Sequence, residues 1–254
     1  MNTLDGLNER QKEAAMHTEG PLLIVAGAGA GKTKTITHRI AHLILEKHVP
    51  ARNILAVTFT NKAATEMRDR VRALLPEGKS APLLVTFHSL GVRLLREFHA
   101  EAGLARAFTI WDRDDSMRAI KQIVEKVGTD IAPRSILSVI SRKKGDGYAP
   151  RDLAGATANW RDKMIARVWE DYERALAAED ALDFDDLLAR TLHLLRDKPE
   201  VLALLQNRWQ YITIDEYQDT NKSQYEIAKL LAGERRNLCV VGDIDQNIYS
   251  WRGA

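Results

Sequence analysis

A chain of 254 residues, 45% hydrophobic and 28% charged, is long and apolar enough to bury a core without staples, and too apolar to be disordered. Its single cysteine, Cys239, makes no intramolecular disulfide, the N-terminal MNTLDGLNERQKEAA lacks the apolar stretch of a secretion signal, and no run approaches 18 apolar residues. These features predict a cytoplasmic protein with no membrane partner. With 37 Lys and Arg against 35 Asp and Glu, a net charge of +2 does not announce a nucleic-acid partner, so any such partner has to be read from motifs.

In chain order, short apolar runs at 22–26, 54–59 and 83–87 are each followed by an amphipathic stretch of helical period. Strands alternating with helices predict a parallel sheet. Residues 105–180 show helical patterns separated by breakers (Ala132-Pro133, Gly145-Asp146-Gly147, Ala149-Pro150) and almost no β-branched alternation. The strand pattern returns at 211–215 and 238–241, around a helical stretch at 222–231. The expected architecture is therefore α/β, with 1–104 and 181–254 forming one sheet-centred domain and 105–180 a helical insertion. The insertion holds 14 Lys or Arg and 13 Asp or Glu, so it is not a basic slab. Its local trio Arg142-Lys143-Lys144 reads either as a contact to nucleic-acid phosphates or as a solvated loop.

Residues 26–33 read AGAGAGKT, directly after the apolar run LLIVA and before a helical stretch starting near Lys32. Strand, glycine-rich loop and helix in that order form a phosphate-binding loop. Glycines let successive backbone N–H groups converge on a phosphate, and the helix N-terminus adds partial positive charge. Lys32 reaches the terminal phosphates and Thr33 ligates Mg²⁺. Ala28, Gly29, Ala30, Gly31, Lys32, Thr33 and Lys34 are the candidate nucleotide contacts. Ala26 stands where the usual pattern has its first glycine, and a residue so small still allows the turn.

The strand at 211–214 runs into Asp215-Glu216-Tyr217-Gln218-Asp219, setting two carboxylates at the strand's C-terminal end, the edge where open α/β sheets bind ligands. Asp215 is suited to hold Mg²⁺ through its water shell. Glu216 is suited to orient and deprotonate the water that attacks the γ-phosphate. An acidic pair capping the next helix is the alternative, and the upstream phosphate loop favours hydrolysis.

Read together and in order, LNERQKEA, AGAGAGKT, AVTFTNKAATEM, VTFHSLGVRLLRE, LDFDDLL, DEYQDTN and VGDIDQNIYSWRGA resemble the UvrD/PcrA/Rep-type superfamily 1 DNA helicases, over nearly the whole chain. The resemblance implies a RecA-like fold and an ATP-driven motor that moves 3′ to 5′ along single-stranded DNA and opens duplexes at single-strand/duplex junctions. It implies that Gln11 recognises the adenine edge, although Asn8 and Gln11 are also spaced as a capping box. It implies that Gln246 contacts the γ-phosphate and reports its presence to the DNA groove. Phe59, Thr60, Asn61, Thr86, Phe87, His88, Tyr249, Trp251 and Arg252 match the family's single-strand contacts. Aromatic faces accept any base, while hydroxyls and amides hold phosphates. Without the resemblance, Phe59, Phe87 and Trp251 read as packing aromatics. Asp183, Asp185 and Asp186 match a motif near the DNA path and suit shaping a site better than touching phosphate.

Asn247, where serine is usual, and Lys34, where arginine is common, are mild departures. Family members continue into a second RecA-like domain that supplies arginines to the γ-phosphate. Arginines of this kind are worth about 10³ to 10⁵ in turnover, so this stretch alone is expected to hydrolyse ATP poorly unless that domain is supplied in cis or by another subunit. Two other readings are a stand-alone ATP- and single-strand-binding module without unwinding, and the helicase part of a helicase-nuclease.

Overall fold

The computed structural model describes residues 3–155, 159–243 and 245. Five strands, β1 (Leu22–Val25), β2 (Ile54–Thr58), β3 (Leu83–Thr86), β6 (Tyr211–Ile214) and β7 (Leu238–Gly242), form one parallel sheet in the order β1-β7-β6-β2-β3. The two strands after the insertion are placed between β1 and β2. Both halves of the chain are thus needed to complete one sheet.

Alternation along the strands sends side chains to two cores. Leu55, Val57, Ile212 and Ile214 pack on one face against α4 (Phe87–Glu97), α9 (Phe184–Asp197), α10 (Pro199–Arg208) and α11 (Lys222–Ala232). Ile54, Ala56, Leu84, Cys239 and Val241 pack on the other against α2 (Lys32–Leu45) and α3 (Asn61–Leu74). Gly91 marks a close helix approach: a Cβ there would lie 2.8 Å from the Leu187 carbonyl oxygen of α9.

The region expected to be a helical insertion is α5 (Arg113–Val127), α6 (Pro133–Gly145), α7 (Pro150–Leu153) and α8 (Trp160–Ala178). These pack around their own core, with Ile120, Ile136, Ile140, Trp169 and Tyr172 essentially sealed from solvent. Two short strands that the sequence pattern does not predict, β4 (Thr109–Ile110) and β5 (Ala181–Leu182), pair in parallel where the chain leaves and re-enters the main domain. Two-residue strands carry too little pattern to be legible.

The insertion is anchored by an ion cluster. The Lys144 ammonium lies 2.7 Å from Glu173, 2.8 Å from Asp183 and 2.8 Å from Asp186, with the Tyr172 hydroxyl donating to Asp183. Burial by itself works against the ammonium, but the three carboxylates more than offset it and hold its pKa above the ordinary lysine value. Burial pushes the Asp186 carboxyl up to about 7, with Lys144 opposing. Asp183 and Asp186 also form the capping box that starts α9. Lys144 is therefore not a surface phosphate contact: it is 4% exposed and neutralised from three sides. Asp183 and Asp186 thus tie the start of α9 to the insertion.

Candidate functional site

All five strands of the large sheet are parallel, so their C-terminal ends share one edge, and every described candidate residue except Gln11, on α1 (Glu9–Met16), and Lys34 follows or ends a strand there. The loop after β1 uses two left-handed backbone positions, Gly29 (φ +74°) and Gly31 (φ +82°). A side chain at Gly31 is strained by that φ, and its Cβ would also displace the Gln11 amide, 2.7 Å away, from the loop. No side chain caps α2 and no acidic residue lies in its first turn, so the helix start suits an anion. Ala28, Gly29 and Ala30 are exposed in front of it. Lys32 is mostly buried, and its ammonium donates to the Ala26 carbonyl at 3.1 Å and to Asp243 Oδ2 at 3.2 Å.

The carboxylates face the same place. Asp215 is 4% exposed, with Oδ1 accepting from the Glu216 N–H at 3.0 Å. Burial, and then the neighbouring Glu216 charge, push its pKa up to about 6, against the opposing pull of that N–H and of Lys32. Glu216 sits in the left-handed region (φ +51°), a strained conformation for a side chain of its size. Gln218 joins the parts: its Nε2 donates to Glu216 Oε2 at 2.8 Å, and its Oε1 accepts from the Asp243 N–H at 2.9 Å. A chain of contacts thus runs from Lys32 through Asp243 and Gln218 to Glu216.

The donor set fits Mg²⁺. A Thr33 hydroxyl at a helix start and a carboxylate held back from ionising by burial and by the neighbouring Glu216 charge are hard oxygen ligands. Among the described residues no group of three or more His, Cys, Asp or Glu forms a metal cage, which suits an ion carried by phosphates and water.

Gln11 forms the capping box and also reaches the phosphate loop. Its Oε1 accepts from the Asn8 N–H at 3.0 Å in a capping box, while Nε2 donates to the Ala30 carbonyl at 3.0 Å, bringing α1 onto the phosphate loop. Lys34 points its ammonium at the Gly6 carbonyl, 2.6 Å away, and so holds the N-terminal segment.

The DNA candidates occupy the β2/β3 half of the edge. Thr60 and Asn61 are exposed at the start of α3, where the Thr60 hydroxyl accepts from the Ala63 N–H. Thr86 is buried and caps α4 by accepting from the Ser89 N–H, and Ser89 Oγ donates across to Asn61 Oδ1 at 3.4 Å. Two helix starts, neither with an acidic residue in its first turn, are thereby joined side by side. Phe87 is 3% exposed within the core and meets Phe59 edge-on with centroids 6.3 Å apart. No base can stack on a ring so enclosed, which corrects its reading as a stacking surface: it supports the half-buried Phe59. His88 stacks on Phe184, with centroids 3.9 Å apart and planes 23° from parallel. Gln246, Tyr249, Trp251, Arg252 and Asn247 lie outside the described residues.

Three residues of interest escape the motif reading. Phe184, 54% exposed at the start of α9, offers the open aromatic face that Phe87 does not, and its signal is an apolar residue inside the acidic LDFDDLL. Asp243 and Gln218 lie within recognised strings, but only the fold shows that each reaches another motif.

A parallel sheet with a phosphate loop after its first strand and paired carboxylates after a central one defines a RecA-like P-loop nucleotide-binding protein. Residues 7–254 match the UvrD/REP helicase N-terminal domain, and the chain belongs to that family. It is 48% identical over 254 residues to the ATP-dependent DNA helicase PcrA of Staphylococcus aureus, covering 99% of this chain and 35% of the relative. It is 48% identical over 258 residues to the ATP-dependent DNA helicase PcrA of Staphylococcus epidermidis, covering 100% of this chain and 35% of that relative. The chain thus spans about a third of the length of these relatives. No helix among the described residues is long and apolar enough to cross a membrane.

Proposed function

We propose that the chain is the ATP-binding motor portion of a DNA helicase. It hydrolyses ATP to move 3′ to 5′ on single-stranded DNA toward single-strand/duplex junctions, serving repair or replication in the bacterial cytoplasm and nucleoid. The observation that carries this reading is the division of one sheet edge. Lys32, Asp215 and Glu216 cluster at the β1/β7/β6 end, and two helix starts free of acidic residues lie with the Phe184–His88 stack at the β2/β3 end.

On this reading the γ-phosphate takes Lys32 from Asp243, the N–H groups at the start of α2 hold the phosphates, and Gln11 leaves Ala30 for the adenine edge. Thr33 and Asp215 hold Mg²⁺, which when bound draws charge off the phosphate oxygens. Glu216, steadied by Gln218, accepts the proton of the attacking water. Thr60 and Asn61 hold backbone phosphates while Phe59 and Phe184 take bases. Gln246, Tyr249, Trp251 and Arg252 are proposed to couple nucleotide and DNA, and a second RecA-like domain, in cis or from another subunit, to close both sites.

The test is ATP turnover with and without single-stranded DNA, for the chain and for the longest chain its gene encodes. Lys32→Ala is expected to lose nucleotide binding, and Glu216→Gln to keep binding while losing turnover. Equal turnover in Glu216→Gln and parent sinks the assignment of the base.

A further inference from the structure

Between the two halves of the edge stands Thr58, the last residue of β2, whose role the motifs leave unassigned. It is 2% exposed, and its hydroxyl has no hydrogen-bond partner among the described residues. A buried hydroxyl left unpaired is costly, and such groups in folded proteins call for a reason. Its neighbour across the β2–β3 ladder, Thr86, spends its hydroxyl on the start of α4. Thr58 does not cap the helix that follows it, because Thr60 already caps the start of α3.

The register supplies the reason. Ile54 to Val57 pair in parallel with Tyr211 to Ile214, and the Asp215 N–H donates to the Val57 carbonyl at 2.9 Å. Continued by one residue, that register sets Thr58 beside Asp215, about 4.8 Å away strand to strand. Both lie on the sheet face that carries Ile54, Ala56 and Tyr211, the face against which α2 packs. The two side chains form no direct hydrogen bond, which leaves the Thr58 hydroxyl free to bond a water shared with Asp215.

We propose that Thr58 is a positioning residue of the nucleotide site: its hydroxyl hydrogen-bonds a water in the coordination shell of the Mg²⁺ held by Asp215. The inference rests on the nucleotide-site reading above. Mg²⁺ keeps several waters when it binds proteins, so a fixed hydroxyl one strand from the carboxylate orients the ion without touching it. It also places an Mg²⁺-sensitive group immediately before Phe59, Thr60 and Asn61, the segment proposed to meet DNA.

The experiment measures ADP affinity by calorimetry in excess Mg²⁺ and in EDTA, for the parent chain, Thr58→Val and Thr58→Ser, with thermal unfolding in parallel. Valine keeps the shape and removes the hydroxyl. The gain in affinity on adding Mg²⁺ is expected to shrink about fivefold in Thr58→Val, the size of one net hydrogen bond. It returns in Thr58→Ser, with EDTA affinity and melting temperature no lower than the parent's. A structural role alone predicts the opposite pattern: an unchanged Mg²⁺ gain with a shifted melting temperature. An undiminished Mg²⁺ gain in Thr58→Val, an equal loss in EDTA, or failure of serine to restore it overturns the proposal while leaving the nucleotide site standing. A parent chain that binds no ADP under either condition overturns both.

Discussion

Replacing Lys144 by methionine keeps most of the side-chain volume and removes the charge that three carboxylates share. Glu173, Asp183 and Asp186 each lie within 2.8 Å of the ammonium, and Lys144 is 4% exposed, so water cannot take its place without opening the α6–α9 packing. Removing one partner of a buried ion cluster costs about 3 to 5 kcal/mol, whereas a solvated loop lysine costs within about 0.5 kcal/mol. At this chain length each kcal/mol moves the melting temperature by about 2 to 4 °C, giving a drop of about 6 to 20 °C. The pH dependence has a definite sign. Asp186 is already raised to about 7 with Lys144 opposing, and loses that opposition in Lys144→Met. An acid with a folded pKa above its unfolded value binds protons better when folded, so the variant loses stability as pH rises through that window. The deficit relative to the parent is therefore smaller at pH 5 than at pH 8. Thermal unfolding followed by circular dichroism at pH 5, 6, 7 and 8 measures it. A deficit below about 1 kcal/mol, or one equal at both ends of the range, refutes the cluster as the anchor of the insertion.

Gln11→Ala removes the capping box and the tie to Ala30 together, so α1 is expected to lose about 1 kcal/mol and ATP its adenine contact. A raised KM for ATP with kcat nearly kept is the readout, and an unchanged KM confines Gln11 to the cap. Phe184→Ala and Phe87→Ala separate an open ring from a closed one. The first is expected to weaken single-strand affinity by about 1 to 3 kcal/mol at unchanged stability, and the second to cost about 3 to 5 kcal/mol of stability. Filter binding and urea unfolding on the same preparations check both, and loss of DNA affinity in neither returns Phe184 to the surface as a bystander.

The strands of the large sheet were legible to within a residue or two because they rest on local chemistry. The run at 54–59 became Ile54–Thr58, that at 211–215 became Tyr211–Ile214, and the breaker Ala132-Pro133 opened α6 at Pro133. The phosphate loop was legible for the same reason: Gly29 and Gly31 are required by backbone angles of +74° and +82°, which a sequence records directly. Paired carboxylates at a strand end likewise announced themselves as Asp215 and Glu216.

Contacts between distant segments were not legible, because they depend on which strands become neighbours. The order β1-β7-β6-β2-β3 brings Asp243 to Lys32 and Thr58 to Asp215, although 211 and 157 residues separate those pairs. Burial was decided the same way. Phe87 and Phe184 look alike as aromatics at helix starts, yet one faces a sheet core and the other solvent; Lys144 looks like its neighbours Arg142 and Lys143, yet three carboxylates from two other helices surround it. Side-chain chemistry and local backbone preference are properties of the residue and its near neighbours along the chain. Whether a group meets water, an opposite charge or nothing at all is a property of the packed whole.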